Sequence, residues 1–324
     1  MSPQESSVST EYRALRDRAG VVDRSDRGAV LVTGPDTLPF LQSLVSADLD
    51  DLADGRGAHS LLLTPQGKLD VDFRLLLVGD DCWLDCEPGF GARLAESLDR
   101  FRIRVQAEVI DRSATWGCLS VVGPDAAGST GAFGVTLPAT PHAYVRWRDA
   151  AIARLPWPTG AAFDVVGPRA TVDDATVLLT RAGLPRCGAD AYEAVRIRAG
   201  VPRQGADLDD KTIPQEAFLE RDAVSFTKGC FLGQELVCRI DTRGHVNRYL
   251  RRVELLDGAR PPLGAEVVVG GKVVGSLTSV VDAPDLEWAG LGYVRHEVEP
   301  PARAALRWPD GEARAVVREL SPLA

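Results

Sequence analysis

The segment Lys228-Gly229-Cys230-Phe231-Leu232-Gly233-Gln234-Glu235 is the densest group of chemically useful side chains in the sequence. Glycines on both sides of Cys230 allow the backbone to turn sharply and to approach a ligand closely. A helix is predicted to begin near the second glycine, and its N-terminus and the Lys228 ammonium would both favour a thiolate at Cys230. Gln234 offers donors and an acceptor at the same edge, and Glu235 an acceptor. A glycine-rich turn around a buried thiol explains the pattern about equally well.

Composition excludes several classes of protein. Of the 324 residues, 45% are hydrophobic, so the chain can form two or three folded modules and is not expected to be disordered. It has no uncharged apolar run of about 18 residues, so we expect no membrane-spanning helix and no membrane partner. The net charge of −9 argues against nucleic acid as a partner. The polar segment Met1–Thr10 lacks the basic, apolar and small-residue regions of a secretory signal, which favours a cytoplasmic location. This segment is expected to fray.

The six cysteines are expected to be thiols, because disulfides are rare in cytosolic proteins. Cys82 and Cys86 lie four residues apart and would share one face of a strand, which is a weak indication of metal binding. Two small buried side chains are the favoured explanation of that spacing. We therefore predict no metal site.

Hydrophobic periodicity predicts an α+β chain. The stretch from Leu69 to Val78 begins by alternating, so that Asp70, Asp72 and Arg74 share one face, and then becomes wholly apolar. This pattern is typical of a strand that begins at a site and ends in the core. From Arg252 onward, short β runs separated by Gly and Pro predict a small antiparallel barrel. The other predicted elements are helices at 91–101, 173–182 and 189–199, two strands around a proline-rich turn between 145 and 166, and an irregular polar segment at 203–221.

Several motifs, in order along the chain, resemble those of one family. Ser225–Glu235 resembles the Lys-Gly-Cys-Tyr/Phe-x-Gly-Gln-Glu signature of the YgfZ folate-binding proteins and of their mitochondrial relatives in iron–sulfur protein maturation. The likeness covers most of the chain from about residue 20, and its other motifs are Val32–Asp36 with Phe40–Gln42, Leu63–Lys68, Ala194–Pro202, Ile213–Glu216, Leu263-Gly264 and Val274–Ser276.

The resemblance implies a GcvT-like α+β fold, with three modules arranged as a cloverleaf around a central folate cavity and a C-terminal antiparallel β-barrel. The modules expected are a folate-binding core at 20–111 plus 184–248, a ferredoxin-like α+β subdomain at 112–183 and the barrel at 249–324.

The resemblance also implies tetrahydrofolate as cofactor, iron–sulfur client or assembly proteins as partners, and a role in building or repairing iron–sulfur enzymes. Cys230 would be the functional thiol, with Lys228 beside it. One thiolate cannot hold an iron–sulfur cluster alone, because clusters usually take four ligands. The residues expected to contact the folate or its glutamate tail are Gln66, Lys68, Asp72, Glu193, Arg198, Gln234, Glu235 and Arg243.

The aminomethyltransferases of glycine cleavage share this fold and are, with folate-dependent demethylases, the main enzymatic alternative. Their catalytic aspartate lies in an Asp-Asp pair just after a turn similar to Gln66-Gly67-Lys68. Asp70 is the closest match in this sequence, and a valine separates it from Asp72, which shares its face on a strand. An exposed polar face explains the two aspartates equally well.

A second transferase feature is changed in this sequence. The transferases carry a glutamate in the central helix that grips the pterin ring, and the corresponding residue here is Arg198, with Glu193 upstream as a possible substitute. The Cys-bearing signature is a YgfZ feature, which favours the maturation factor over the transferase. The third hypothesis is an interaction scaffold in which the cavity is empty and Cys230 is structural.

Overall fold

The computed structural model describes residues 7–157, 162–281, 283 and 285–320. Helices and strands alternate in the first two thirds of the chain and strands follow in the last third, so the α+β prediction is confirmed. Parts of three predicted segments lie outside the described residues: 1–6 of the N-terminus, 158–161 of the proline-rich turn, and 282, 284 and 321–324 of the barrel segment.

The first sheet has five strands and is accompanied by two helices. Its elements are β2 (Gly28–Thr33), α2 (Thr37–Gln42), β3 (Gly57–Leu63), β4 (Leu69–Val78), β5 (Asp81–Cys86), α3 (Gly91–Asp99) and β6 (Glu108–Asp111). The strand order is β3-β4-β5-β2-β6, and α3 packs on β2, β4 and β6. Strand β4 has the predicted bounds, and its apolar second half is buried as the sequence pattern indicated.

The second sheet has six strands. Its elements are β1 (Gly20–Asp23), β7 (Trp116–Val122), α4 (Ala126–Ser129), β8 (Tyr144–Trp147), β9 (Ala150–Arg154), β10 (Ala162–Pro168), α5 (Arg169–Arg181) and β11 (Arg186–Cys187). The strand order is β11-β1-β7-β10-β9-β8. The two strands predicted between 145 and 166 are in fact three, because a hairpin turn at Arg148-Asp149 divides the first of them. Two strands from outside 112–183, β1 and β11, also pair into this sheet. The division into three modules stays a prediction.

Helix α6 (Ala189–Ala199) has the predicted bounds and ends at Gly200, whose φ of 76° is a left-handed conformation that suits glycine. The segment that follows, predicted to be irregular, contains an isolated bridge between Gln204 and Leu208, a single 3-10 turn at Pro214–Glu216 and the short helix α7 (Glu220–Ala223). Helix α8 (Gln234–Arg243) begins directly after Gly233, as predicted.

The last segment forms a closed barrel of six antiparallel strands, which confirms the barrel prediction. The strands are β12 (Arg248–Gly258), β13 (Glu266–Val269), β14 (Lys272–Val280), β15 (Ala289–Arg295), β16 (Ala302–Trp308) and β17 (Gly311–Arg318). Their order around the barrel is β12-β15-β14-β13-β16-β17. Gly270 and Gly271, both at positive φ, join β13 to β14 in the predicted hairpin.

The expectation that Met1–Thr10 frays is wrong for its described part. Helix α1 (Ser7–Asp17) begins there and packs against α6. Tyr12 and Leu15 are buried in this contact, because the helix places them on one face at i and i+3. None of the described helices is long and apolar enough to cross a membrane.

Candidate functional site

A cavity of about 150 Å³ lies where the two sheets, α6 and the loop after α6 meet. We call it the central cavity. Asp72 and Arg74 reach it from one face of β4, as the alternation in the sequence predicted. The lining residues are Arg24, Arg27, His59, Asp72, Phe73, Arg74, Glu87, His142, Leu155, Pro156, Trp157, Asp164, Tyr192, Val201, Pro202 and Leu219.

Buried arginines and carboxylates form one wall of the central cavity. The Nε atom of Arg74 donates to Asp85 at 2.8 Å, and its Nη2 lies 3.0 Å from Asp164. All three side chains are at most 6% exposed. Because buried charges are tolerated only when paired, this network fixes the position of the Arg74 guanidinium.

A second arginine group continues this wall toward α6. Arg24 donates to Glu87 at 2.8 Å and to the Tyr192 hydroxyl at 2.7 Å. Arg27 bonds to Glu87 and, at 2.6 Å, to Asp85. Burial would raise the pKa of Glu87, but the charges of Arg27 and Arg24 outweigh it and lower that pKa to about 2. Glu87 therefore stays ionised over the whole neutral range.

Two histidines and two aspartates form a chain of hydrogen bonds beside these arginines. Nε2 of His59 lies 2.5 Å from Asp72, and Nδ1 of the same ring lies 2.9 Å from Oδ2 of Asp222. That oxygen also lies 3.0 Å from Nε2 of His142. The chain links β3 and β4 of the first sheet to α7 and to the loop before β8.

The pKa values of the two histidines in this hydrogen-bonded chain are shifted in opposite directions. Burial alone would lower the pKa of His59, but Asp72 and Asp222 outweigh it and raise the pKa to about 10. Burial lowers the pKa of His142, and its single carboxylate partner does not compensate. At neutral pH, His59 is therefore an imidazolium between two carboxylates, whereas His142 is a neutral ring.

Three side chains that line the central cavity carry buried polar atoms without a hydrogen-bond partner in the described part of the chain. These atoms include Nη1 of Arg74, Nε1 of Trp157 and Nδ1 of His142. Leaving such a group unpaired costs about 1–3 kcal/mol.

The two candidate aspartates of β4 have different surroundings. Asp72 lines the central cavity and bonds to His59. Asp70 forms an ion pair with Arg93 at 2.6 Å, and its backbone oxygen accepts from Gln204. Of the two, Asp72 is therefore the one placed to act inside the cavity.

Lys228 occupies a different place from the one its sequence position suggested. Its ammonium donates at 2.7–3.0 Å to the backbone oxygens of Gln42, Val45 and Ala47 and to the Gln42 side chain. Burial lowers its pKa to about 8. The expectation that this ammonium favours a thiolate at Cys230 has no support in this geometry, because its three N–H groups are already directed at the end of α2 and the residues that follow it.

Cys230 lies exposed on the loop before α8, whereas Cys82, Cys86, Cys118 and Cys187 are buried and Cys238 is half-buried. The loop lies outside the lining of the central cavity. No group of three or more His, Cys, Asp or Glu side chains within the described ranges is arranged to hold a metal ion.

The turn that contains Gln66 and Lys68 packs against the signature loop. A Cβ atom on Gly67 would lie 2.9 Å from the Gly233 oxygen, so the two backbones touch. Gln66 is exposed and Lys68 half-buried. On α8, Gln234 is half-buried, and Glu235 and Arg243 are exposed. These five residues come from two segments, and none of the five lines the central cavity.

The two candidates on α6 also point away from the central cavity. Glu193 pairs with Arg196 at 2.7 Å and with Arg203 at 3.1 Å. Arg198 pairs with Glu287, just before β15 of the barrel. Tyr192 is the residue by which α6 reaches the cavity.

Sequence reasoning missed most of the cavity wall. Arg74 was placed correctly on the face of Asp72, but its role in the wall was not predicted. His59, His142 and Asp222 come together from three distant segments, and the sequence holds no spacing signal that links them. The sequence did not indicate the arginines of the wall either. The chain is rich in arginine, so the few buried arginines do not stand out from the exposed ones in the sequence.

Comparison with known proteins gives consistent results. The GCVT N-terminal domain family matches residues 2–228. An aminomethyltransferase of Symbiobacterium thermophilum is 30% identical over 320 residues, which cover 91% of this chain and 83% of that protein. An aminomethyltransferase of Thermus thermophilus is 28% identical over 341 residues, which cover 99% of this chain and 90% of that protein.

A solved structure shares the fold. The crystal structure of glycine cleavage system aminomethyltransferase T from Bartonella henselae matches with a TM-score of 0.86 at 21% identity, covering 97% of this chain and 89% of that one. The GcvT-like fold expected from the sequence is thereby confirmed.

Proposed function

Because the chain belongs to the GCVT N-terminal domain family, we propose that its central cavity binds the ring end of a tetrahydrofolate and that it is a folate-dependent one-carbon transferase of the aminomethyltransferase type. The relatives that carry the name aminomethyltransferase support this activity over iron–sulfur maturation.

The observation that carries the proposal is the group of polar side chains that line this one cavity, among them Asp72, Arg74 and Tyr192. A heterocycle with several donor and acceptor atoms at its edge pairs with such a set, whereas an aliphatic ligand does not. The cavity of about 150 Å³ is smaller than the roughly 300–1,000 Å³ of pockets that enclose a whole drug-sized ligand. It therefore takes the ring of a folate and leaves the glutamate tail outside.

Tetrahydrofolate supplies ring nitrogens that accept a one-carbon unit. In this chain Asp72 is the carboxylate that holds or accepts a proton at the cavity, and His59 fixes its position through the 2.5 Å contact. Arg74 and Tyr192 orient the ring, since the network of Asp85, Asp164 and Arg24 holds both of them. The half-buried Lys68 and the exposed Arg243 remain candidates for the glutamate tail.

The test is transfer with purified protein. Mixing it with tetrahydrofolate and an aminomethyl donor is expected to release ammonia at a rate proportional to the protein concentration. Cys230→Ala is expected to leave that rate within about twofold, because the thiol lies outside the cavity. If no ammonia is released above the rate without protein, the transferase proposal is wrong.

The second candidate function is the one implied by the YgfZ resemblance, maturation or repair of iron–sulfur proteins through Cys230. The observation that favours it is the exposure of Cys230, which allows another protein to reach the thiol. Cells that depend on this protein for an iron–sulfur enzyme would lose that enzyme's activity with Cys230→Ala. They would keep it if the protein were a transferase alone.

A further inference from the structure

Four oxygen atoms converge on the ammonium of Lys228. They are the backbone oxygens of Gln42, Val45 and Ala47, at 2.8, 2.8 and 2.7 Å from Nζ, and Oε1 of the Gln42 side chain at 3.0 Å. We call these four atoms the oxygen cage. In the described part of the chain no backbone N–H donates to its three backbone oxygens, so the Lys228 ammonium supplies their hydrogen bonds.

The backbone that forms the cage is held in place independently of the lysine side chain. Two of the carbonyl groups between the cage oxygens accept from the backbone on either side of Lys228. The Leu44 oxygen accepts from the Leu232 N–H at 3.3 Å, and the Ser46 oxygen accepts from the Ser225 N–H at 2.9 Å. A change of the Lys228 side chain leaves these two bonds available, so the cage oxygens keep their direction.

The side chain of Gln42 is held with its oxygen toward the cage. Its Nε2 donates to Asp48 at 2.8 Å, and Oε1 accepts from the Leu49 N–H at 2.8 Å. Because an amide nitrogen donates and an amide oxygen accepts, these bonds fix which end of the amide faces Lys228. The negative charges of Asp48 and Asp50 act on the same point and favour a cation there.

The ligand set of the cage is that of a monovalent cation. All four atoms are uncharged carbonyl or amide oxygens, whereas calcium and magnesium sites usually include carboxylates. Backbone carbonyl oxygens are also the ligands that replace the hydration shell of potassium in channel filters. A spherical ion contacts all four oxygens at once, whereas a lysine ammonium has only three N–H groups to share among them.

We propose that the oxygen cage is a monovalent-cation site in which the Lys228 ammonium takes the place of a free alkali ion, so that a cage without its lysine binds potassium. Through this tethered cation, the loop that carries Cys230 is joined to the end of α2. The inference goes beyond the proposed function, because none of the residues that form the cage lines the central cavity.

Potassium rescue of Lys228→Ala tests this site. The substitution removes the ammonium and opens the space that the lysine side chain fills, so that a free ion can enter. Urea unfolding of the full chain at neutral pH measures the equilibrium constant for folding. We expect this constant to be about tenfold larger in about 0.2 M potassium chloride than in choline chloride of equal concentration, as for a Kd of about 20 mM.

Choline chloride matches the ionic strength, and its bulky methylated cation does not fit among four oxygens at these distances. If Lys228→Ala is unfolded in choline chloride, the measured quantity is the recovery of a cooperative unfolding transition in potassium chloride. Absence of that recovery would then overturn the inference.

Lys228→Met is the matched control. Its unbranched side chain refills the space of the lysine stem without a charge, so this variant and the wild type are both expected to differ by less than about twofold between the two salts. Combining Lys228→Ala with Gln42→Met removes the side-chain oxygen of the cage. The effect of potassium should then fall below about threefold, because fewer ligands weaken the binding that stabilises the fold.

Anomalous scattering locates the ion directly. Crystals of Lys228→Ala grown with thallium(I) as the probe for potassium are expected to show an anomalous peak where Nζ lies in the wild type. Three results would overturn the inference: equal stability of Lys228→Ala in the two salts, an equal effect of potassium on Lys228→Met, or no thallium peak at the cage. None of them bears on folate binding, so the proposed function is tested separately.

Discussion

Oδ2 of Asp222 lies 2.9 Å from Nδ1 of His59, and this contact links α7 to β3 of the first sheet at the edge of the central cavity. Asp72 holds the other nitrogen of the same ring. Since the pKa of His59 is raised to about 10 by these two carboxylates, the imidazolium is part of the folded structure.

The His59 contact predicts how stability depends on pH. The folded-state pKa lies above the ordinary value of 6.5, so the stabilising charge is fully present below pH 6.5 and is lost as the pH rises toward 10. His59→Gln removes it and is expected to lower the free energy of unfolding by about 2 kcal/mol at pH 6, with a smaller loss at about pH 10. Urea unfolding at both pH values measures this, and an equal loss at both would contradict it.

The aspartates of β4 are expected to differ in their effect on turnover. Asp72→Asn should lower the rate of folate-dependent ammonia release by about 100-fold or more, because it removes a proton acceptor at the cavity. Asp70→Asn loses only the partly exposed pair with Arg93 and should cost less than about tenfold. Steady-state rates of the two variants test this difference. A larger loss of rate in Asp70→Asn than in Asp72→Asn would assign the proton acceptor to Asp70 instead.

Lys228 is expected to matter for stability rather than for thiol chemistry. Lys228→Met leaves the backbone oxygens of Gln42, Val45 and Ala47 without their donor, so the free energy of unfolding should fall by about 2–3 kcal/mol. The labelling rate of Cys230 in folded protein should change by less than about threefold. A large drop in that rate with unchanged stability would show that the ammonium activates the thiol.

Because Gly67 and Gly233 are in contact, the stability cost of replacing a glycine in the signature loop is expected to depend strongly on its position. Gly233 has a φ of 78°, and a Cβ there would lie 2.4 Å from the Thr64 oxygen, so Gly233→Ala should cost about 3 kcal/mol. Gly229 lies earlier in the same loop, and a Cβ placed there would be more than 4 Å from the rest of the described chain beyond its immediate neighbours. Gly229→Ala should therefore cost less than about 1 kcal/mol. Denaturation midpoints of the two variants test this difference, and equal midpoints would contradict it.

Arg196 is expected to hold the barrel to α6. It is 2% exposed and bonds to Asp207 at 2.7 Å and to Ser279 of β14 at 2.8 Å. Arg196→Met leaves the fully buried Asp207 side chain without its cation, which typically costs about 3–5 kcal/mol. Thermal unfolding should show a marked fall in midpoint, and a change of less than about 2 °C would contradict this account.

The sequence was sufficient to predict those helices, strands and turns that are determined by residues close together in the chain. The strand from Leu69 to Val78, helix α6 and the hairpin at Gly270-Gly271 follow from side-chain periodicity and from glycine conformations that act within a few residues. Helix α1 was missed because its stability comes from packing on α6, which is far away along the chain.

The site was harder to predict because it is made of distant contacts. Asp72 could be placed in the cavity from the alternation of β4, whereas His59, His142 and Asp222 meet only after folding. The motif around Cys230 identified a family resemblance and directed attention to the surface loop, which lies apart from the cavity that the fold creates.

The location of bound folate is the most direct test of the central claim. Hydrogen–deuterium exchange of the intact protein with and without saturating tetrahydrofolate is expected to show protection in β4, in the loop around Trp157 and in α6, all of which contribute to the central cavity. Protection confined to the loop and helix from Lys228 to Arg243, or none anywhere, would contradict the account.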